Sequence, residues 1–291
     1  MKKILIIGEH SYIGNSFKNY IDKKINTLRS DKWIMDTVGA SNGKWKDIEF
    51  NDYDCVIHAA AIVHRKENKS LETIYYSVNC ALAVAVAQKA KESKVGQFVF
   101  FSTMAVFGNK YEQITVNTKP QPFSYYGKSK LQAEKEIAML ESDEFKITII
   151  RPPIVYGPGC NGNFAKLIKL ARLLPMFPLI NNKRSMIFIG NLNKFLKSVI
   201  EQEKSGVFHP QNSEHVRTYQ IIVEVRSVLL KRTWMVYKLD RILLPLTKRV
   251  RCLGKIFGNF YYDYELTYSN IEQEELSEYN FIDSIQLSLF R

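Results

Sequence analysis

Short apolar runs, each closed by a turn, punctuate the chain as far as Pro153. Lys2–Ile7 is aliphatic on both of its faces and ends at Gly8, the pattern of a strand buried on both sides. Similar runs at 33–38, 55–60, 97–101 (QFVFF) and 146–150 (KITII) predict four more strands, the last stopped by Arg151-Pro152-Pro153. Between them the spacing turns helical over 12–20, 77–90 and 128–140. Strands alternating with helices predict an α/β fold built on a doubly wound parallel sheet. After Pro153 the pattern breaks up: PPIVYGPGCNGNF and LLPMFPLINN are rich in proline and glycine, and from Gln220 the chain is basic and aromatic. The expected organisation is a first domain over 1–152 and a smaller lobe over 153–291, with part of 183–205 packing back on the first.

Composition narrows this modestly. A chain of 291 residues with 46% hydrophobic and 24% charged residues has enough apolar surface for a sizeable core. Its four cysteines (Cys55, Cys80, Cys160, Cys252) form no CxxC pair, so neither a metal site nor a disulfide framework is expected. The amino terminus lacks a signal-peptide core, and no run of about 18 apolar residues predicts a membrane span. The expected location is therefore cytoplasmic. A net charge of +12 admits nucleic acid, anionic lipid or a polyphosphate substrate as partners, or a solvated cationic surface. No nucleic-acid motif accompanies the charge. Basic and apolar residues alternate over Lys231–Lys255, a pattern suited to peripheral lipid contact, but Pro245 is expected to interrupt that helix; packing against the lobe is the preferred reading.

The loop Gly8-Glu9-His10-Ser11-Tyr12-Ile13-Gly14 joins the first strand to the first helix. Such a turn lets backbone amides approach a pyrophosphate at the positive end of a helix, which makes it a candidate dinucleotide site. Choice of cofactor is usually made by an acid at the tip of the second strand. Here Asp36 lies inside the strand, the tip Gly39-Ala40-Ser41 carries no acid, and Lys44 and Lys46 are nearby, so the lean is to NADP(H) over NAD(H).

Tyr126 and Lys130 stand four apart at the opening of a helix and share one face. An ammonium beside a phenol is expected to lower its pKa toward the range of acid–base chemistry. Upstream, Phe100-Phe101-Ser102-Thr103 brings a hydroxyl to the end of a central strand, where α/β sheets bind ligands, so Thr103, Tyr126 and Lys130 form the candidate catalytic set.

Together these motifs resemble the extended short-chain dehydrogenase/reductase family, the nucleotide-sugar epimerases, dehydratases and reductases, over Lys3 to about Pro210. The glycine loop is similar to GxxGxxG, with Ser11 at the middle glycine. Val56-Ile57-His58-Ala59-Ala60-Ala61 resembles the segment that lies along the cofactor, Val78-Asn79 the helix behind it, YGKSK the tyrosine–lysine pair and RPPIVYGPG the link to the sugar site. The resemblance implies a Rossmann-like fold and cofactor contacts from Gly8, Ser11, Tyr12, Ile13, Gly14, His58, Ala59, Ala60, Asn79, Tyr126, Lys130 and Pro153. It also implies substrate contacts from Thr103, Asn163 and Arg184, the last two at the diphosphate of a UDP-sugar. His58 on its own reads as a packed histidine beside the cofactor, and dimerisation is a family habit.

Where similar dehydratases place an acid pair after the threonine, this chain has Met104-Ala105, which exchange no protons. Hydride transfer at C4 remains. The resemblance favours reduction of a UDP-4-keto-6-deoxy-N-acetylhexosamine for capsular polysaccharide, with a UDP-sugar 4-epimerase as the alternative and a non-catalytic NAD(P)-binding module as a second.

Overall fold

A computed structural model describes residues 1–25, 27, 33–40, 43–63 and 68–290. Ser41, at the expected tip of the second strand, lies outside the described residues. The chain forms two compact units. One comprises Met1–Gly108, Lys119–Pro152 and Asn193–His209; the other comprises Asn109–Thr118, Pro153–Leu192 and Pro210–Arg291.

The first unit is built on six parallel strands: β1 (Lys2–Ile7), β2 (Trp33–Val38), β3 (Cys55–His58), β4 (Gln97–Phe101), β5 (Lys146–Ile150) and β6 (Gly206–Phe208). Their order across the sheet is β6-β5-β4-β3-β1-β2. Register places Ile4 beside Cys55, Val56 beside Phe98 and Phe98 beside Ile147. Every residue of β3 and β4 is buried, as expected of parallel strands covered on both faces. β2 lies at an edge and is buried only at Trp33, Met35 and Val38. The apolar run at 55–60 stops being strand at His58, because the next residues form the loop that meets Gly8.

Helix α1 (Tyr12–Tyr20) follows β1, α2 (Leu82–Glu92) continues the turns Glu72–Tyr76 and Ser77–Ala81, and α3 (Tyr125–Ala138) precedes β5. Ala83, Val86, Ala87 and Ala90 of α2 join Phe98, Phe100, Ala133 and Ile137 in one apolar cluster. Small side chains on α2 let it lie close to the sheet. Among the described residues one helical run, Lys69–Glu92, is long and apolar enough by composition to cross a membrane; here its alanine and valine face is the layer packed on this sheet.

The second unit holds short parallel pairs, Gln113–Ile114 with Tyr261–Tyr262, Ile154–Tyr156 with Met186–Phe188, and Met176–Pro178 with Trp234–Val236. Its core centres on Tyr156, whose ring lies 4.6 Å from that of Phe164. The Tyr156 hydroxyl is matched to Ser284 Oγ at 2.7 Å and accepts from Asn212 Nδ2 at 2.9 Å, so a buried phenol is fully satisfied. Pro245 does not end its helix. It sits inside Asp240–Arg249, and the break comes at Val250, whose extended backbone separates that helix from Arg251–Phe257.

Candidate active site

The end of β4 is pinned on both sides. Ser102 N donates to Ile150 O at 2.7 Å, and Met104 N donates to Pro152 O at 2.9 Å. Thr103 between them caps the tight turn Met104–Phe107 by accepting from Ala105 N at 3.1 Å. Helix α3 rests directly on this turn: a Cβ on Gly127 would stand 2.6 Å from Ala105 O. That contact explains the glycine of YGKSK, since any side chain would push Tyr126 away from Thr103. Ser124 Oγ accepts from Gly127 N at 3.0 Å and starts the helix one residue before Tyr125.

Thr103 and Tyr126 share a side-chain hydrogen bond. Burial pushes the Tyr126 phenol up to about 12; the Thr103 bond opposes this and the neighbouring Tyr75 adds to it. The net direction is upward, where the sequence predicted a lowered phenol, because burial outweighs what opposes it. Lys130 Nζ donates to Phe101 O at 2.7 Å and lies 4.5 Å from the centre of the Phe100 ring. The side chain is 1% exposed, and burial lowers its ammonium to about 7 while Glu134 resists the loss.

Glu134, one turn beyond Lys130, belongs to a buried network that motif reading passed over. It receives Arg151 Nε at 3.0 Å and Arg151 Nη2 at 2.6 Å, and Ser102 Oγ donates to the same carboxylate. Arg151 Nη1 also lies 3.3 Å from His209 Nε2. This paired fork ties α3 to the ends of β4, β5 and β6, the sheet edge that carries Thr103. The four-residue spacing from Lys130 was the available signal.

Residues expected along the cofactor divide into two sets. In the glycine loop, Gly8 adopts φ 125°, and a Cβ there would lie 3.0 Å from Ala60 N. Gly14 packs α1 onto β1, with a Cβ position 2.9 Å from Ile6 Cγ2. Ser11 is the cap of α1 and accepts from Gly14 N at 3.2 Å; its φ of −68° needs no glycine, so the departure from the motif costs no strain. Tyr12 and Ile13 form the first turn of α1, which contains no acid, so the positive end of this helix keeps its attraction for an anion. The loop Gly8–Gly14 with Ala59 and Ala60 beside it thus fits a dinucleotide pyrophosphate.

The second set is committed to the protein. His58 is fully buried against Phe98 and Phe100, and desolvation, helped by Lys130, lowers its imidazole to about 3; this neutral ring offers no surface to a ligand. Asn79, also fully buried, accepts from Ile62 N at 2.8 Å and donates to Ile62 O at 3.2 Å and Ser129 Oγ at 3.3 Å. It holds the loop after β3 to α3, a positioning task in place of the expected contact. Asp36 accepts from Tyr53 Oη at 2.9 Å within β2. Lys44 and Lys46 are exposed on the turn that follows the second strand.

In the second unit Pro153 begins the segment that leads to Ile154–Tyr156. Asn163 is the exposed first residue of the helix Asn163–Leu173. Arg184 Nη1 donates to Gly258 O at 3.0 Å, and desolvation lowers its guanidinium to about 10. Among the described residues no carboxylate pairs with it. The Cys160 thiol is buried and raised by desolvation, which makes it inert. Among the described residues no group of three His, Cys, Asp or Glu could hold a metal ion.

The NAD dependent epimerase/dehydratase family model matches residues 4–208. The chain belongs to that family. A UDP-glucose 4-epimerase of Vibrio cholerae is 31% identical over 284 residues, covering 88% of this chain and 83% of the relative. The N-acetyl-alpha-D-glucosaminyl-diphospho-ditrans,octacis-undecaprenol 4-epimerase of Escherichia coli O157:H7 is 26% identical over 243 residues, with 79% and 73% covered. Among solved structures, the UDP-glucuronic acid 4-epimerase of Bacillus cereus in complex with NAD superposes with a TM-score of 0.74 at 18% identity, covering 98% of this chain and 94% of that one. That last likeness concerns the fold.

Proposed function

We propose that the protein reduces the 4-keto group of a UDP-linked 4-keto-6-deoxy-N-acetylhexosamine with NAD(P)H, in the assembly of a cell-surface polysaccharide. The observation that carries this reading is a protonated, half-buried Tyr126 held against the Thr103 hydroxyl at the end of β4. When bound, the nicotinamide supplies the hydride. Thr103 and Tyr126 hold the C4 oxygen, and Tyr126 gives that oxygen its proton as the carbonyl becomes an alcohol. Reduction draws on the phenol's proton; oxidation of an alcohol would draw on the phenolate as base. Met104 and Ala105, apolar and next to Thr103, supply no group for water elimination.

Gly8, Ser11, Tyr12, Ile13 and Gly14, with Ala59 and Ala60, are assigned to the pyrophosphate, and Lys130 to the ribose hydroxyls. The absence of an acid after Val38 and the exposed Lys44 and Lys46 support NADP(H). Arg184, partly desolvated and with no carboxylate partner among the described residues, is assigned with Asn163 to the sugar nucleotide's diphosphate.

A second reading is 4-epimerisation, favoured by the names of the relatives from V. cholerae and E. coli. Incubation with NAD(P)H and the keto sugar separates the two. Ketoreduction oxidises one cofactor for each sugar converted. Interconversion of UDP-linked C4 epimers without added cofactor would replace it with epimerisation.

Lys130 yields a pH prediction with two opposite signs. Its ammonium falls from 10.5 to about 7 in the folded protein. The unfolded chain therefore binds the extra proton between about pH 7 and 10.5, and raising the pH through that window favours folding. Cofactor affinity, which uses the ammonium, is expected to weaken as the pH rises through about 7. Titrating affinity against pH checks this, with a pH-dependent loss in wild type and a flat profile in Lys130→Met.

A further inference from the structure

The second unit carries a surface that its own fold leaves uncovered. Residues 172–176, Arg-Leu-Leu-Pro-Met, are all exposed where the helix Asn163–Leu173 gives way to the strand Met176–Pro178. Trp234 pairs in register with Met176, and Trp234 N donates to Pro175 O at 2.8 Å, so the two segments lie side by side. Leu173 is 77% exposed, Met176 57% and Trp234 64%. Water-facing apolar side chains of this size, clustered, mark an interaction site.

Leu230 adds a second, independent observation. It closes the helix Thr218–Val228 in the left-handed region at φ 53°, and Lys231 N returns to Arg226 O at 2.8 Å, an arrangement in which glycine is the usual residue. Leucine is strained there and gains no burial, since 96% of it is exposed. Nothing in the folded unit accounts for it. Lys231 Nζ then donates to Arg172 O at 3.1 Å, which brings Leu230 to the same corner as Leu173.

Charge identifies the partner. The two segments 164–178 and 229–239 contain Lys166, Lys169, Arg172, Lys231, Arg232 and Lys238 and not one Asp or Glu. All six cations are exposed. Apolar side chains projecting from a rim of one charge sign, with an aromatic and a leucine at the tip, match an anionic bilayer: headgroups meet the cations, and the indole and leucine enter the acyl boundary. We propose that this corner of the second unit docks the protein peripherally on anionic phospholipid membranes.

Vesicle co-sedimentation of the full chain tests the proposal without any sugar substrate, so its outcome is separate from that of the ketoreductase reading. Wild type is expected to sediment at low salt with vesicles of phosphatidylcholine and phosphatidylglycerol, and at least tenfold more weakly with phosphatidylcholine alone. Leu230→Glu/Trp234→Glu and Lys231→Glu/Arg232→Glu are each expected to lose at least tenfold in partitioning while keeping the cofactor affinity and circular dichroism of wild type. All four positions are exposed, so the fold does not depend on them. A wild type that stays in the supernatant with anionic vesicles overturns the proposal, as does a Leu230→Glu/Trp234→Glu protein that binds like wild type. Self-association lost on Trp234→Glu, without vesicle binding, would assign the surface to a second copy of the chain instead.

Discussion

Replacing Tyr126 by Phe is expected to lower turnover by about 10²–10⁴-fold, the usual range for loss of a positioned general acid, with little change in cofactor affinity. The substitution removes one oxygen and keeps the ring. Tyr126 sits on the first turn of α3, and the seating of that turn depends on Gly127 against Ala105 O, a backbone contact the variant retains. What disappears is the proton donor held by Thr103. Single-turnover rates and equilibrium titration with NAD(P)H, measured on the same preparation, check this. A rate within threefold of wild type would remove Tyr126 from the chemistry.

The second large effect is on stability. Glu134→Leu is expected to cost about 3–5 kcal/mol, as does removal of one partner from a buried ion pair generally. The side chains of Arg151 and Glu134 are 12% and 4% exposed, so the guanidinium left behind has little access to water. It also loses both ends of a paired fork, and Ser102 loses its acceptor. Replacing both partners, Glu134→Leu with Arg151→Met, is expected to recover much of the loss, because the buried guanidinium is no longer left without its carboxylate. Denaturant unfolding of the single and double variants measures the difference. A single variant as stable as wild type would show that the network contributes nothing.

How much of this was legible in the sequence follows from the range of each interaction. Strands β1, β3, β4 and β5 were readable because a parallel sheet covered on both faces demands uninterrupted apolar runs, and β2 from a short, mostly apolar run before a glycine turn. β6 was not, since three residues, Gly206–Phe208, are too few to show a period. Thr103, Tyr126 and Lys130 were readable from a helical spacing and a strand end. The electrostatics were not: Lys130 is held by Phe101 O, on another element, so its spacing from Tyr126 said nothing about what its ammonium does. His58 already reads as a packed histidine in the sequence, whereas Asn79 looks like a ligand contact there, and only α3 and the loop packed around it show that it is enclosed. The Glu134–Arg151 fork joins a helix to a loop seventeen positions away and leaves no periodic trace. In the second unit, strands of two or three residues carry too little pattern to predict, and Pro245 misled because proline inside Asp240–Arg249 does not stop the helix.

The central claim is that this site moves hydride and proton to opposite ends of one carbonyl at C4. Nicotinamide cofactor deuterated at its transferable position, followed into the product by nuclear magnetic resonance, tests it most directly. One deuterium at sugar C4, in a single configuration and absent with Tyr126→Phe, is the predicted result. Deuterium at another carbon, or none in a product that has formed, would contradict it.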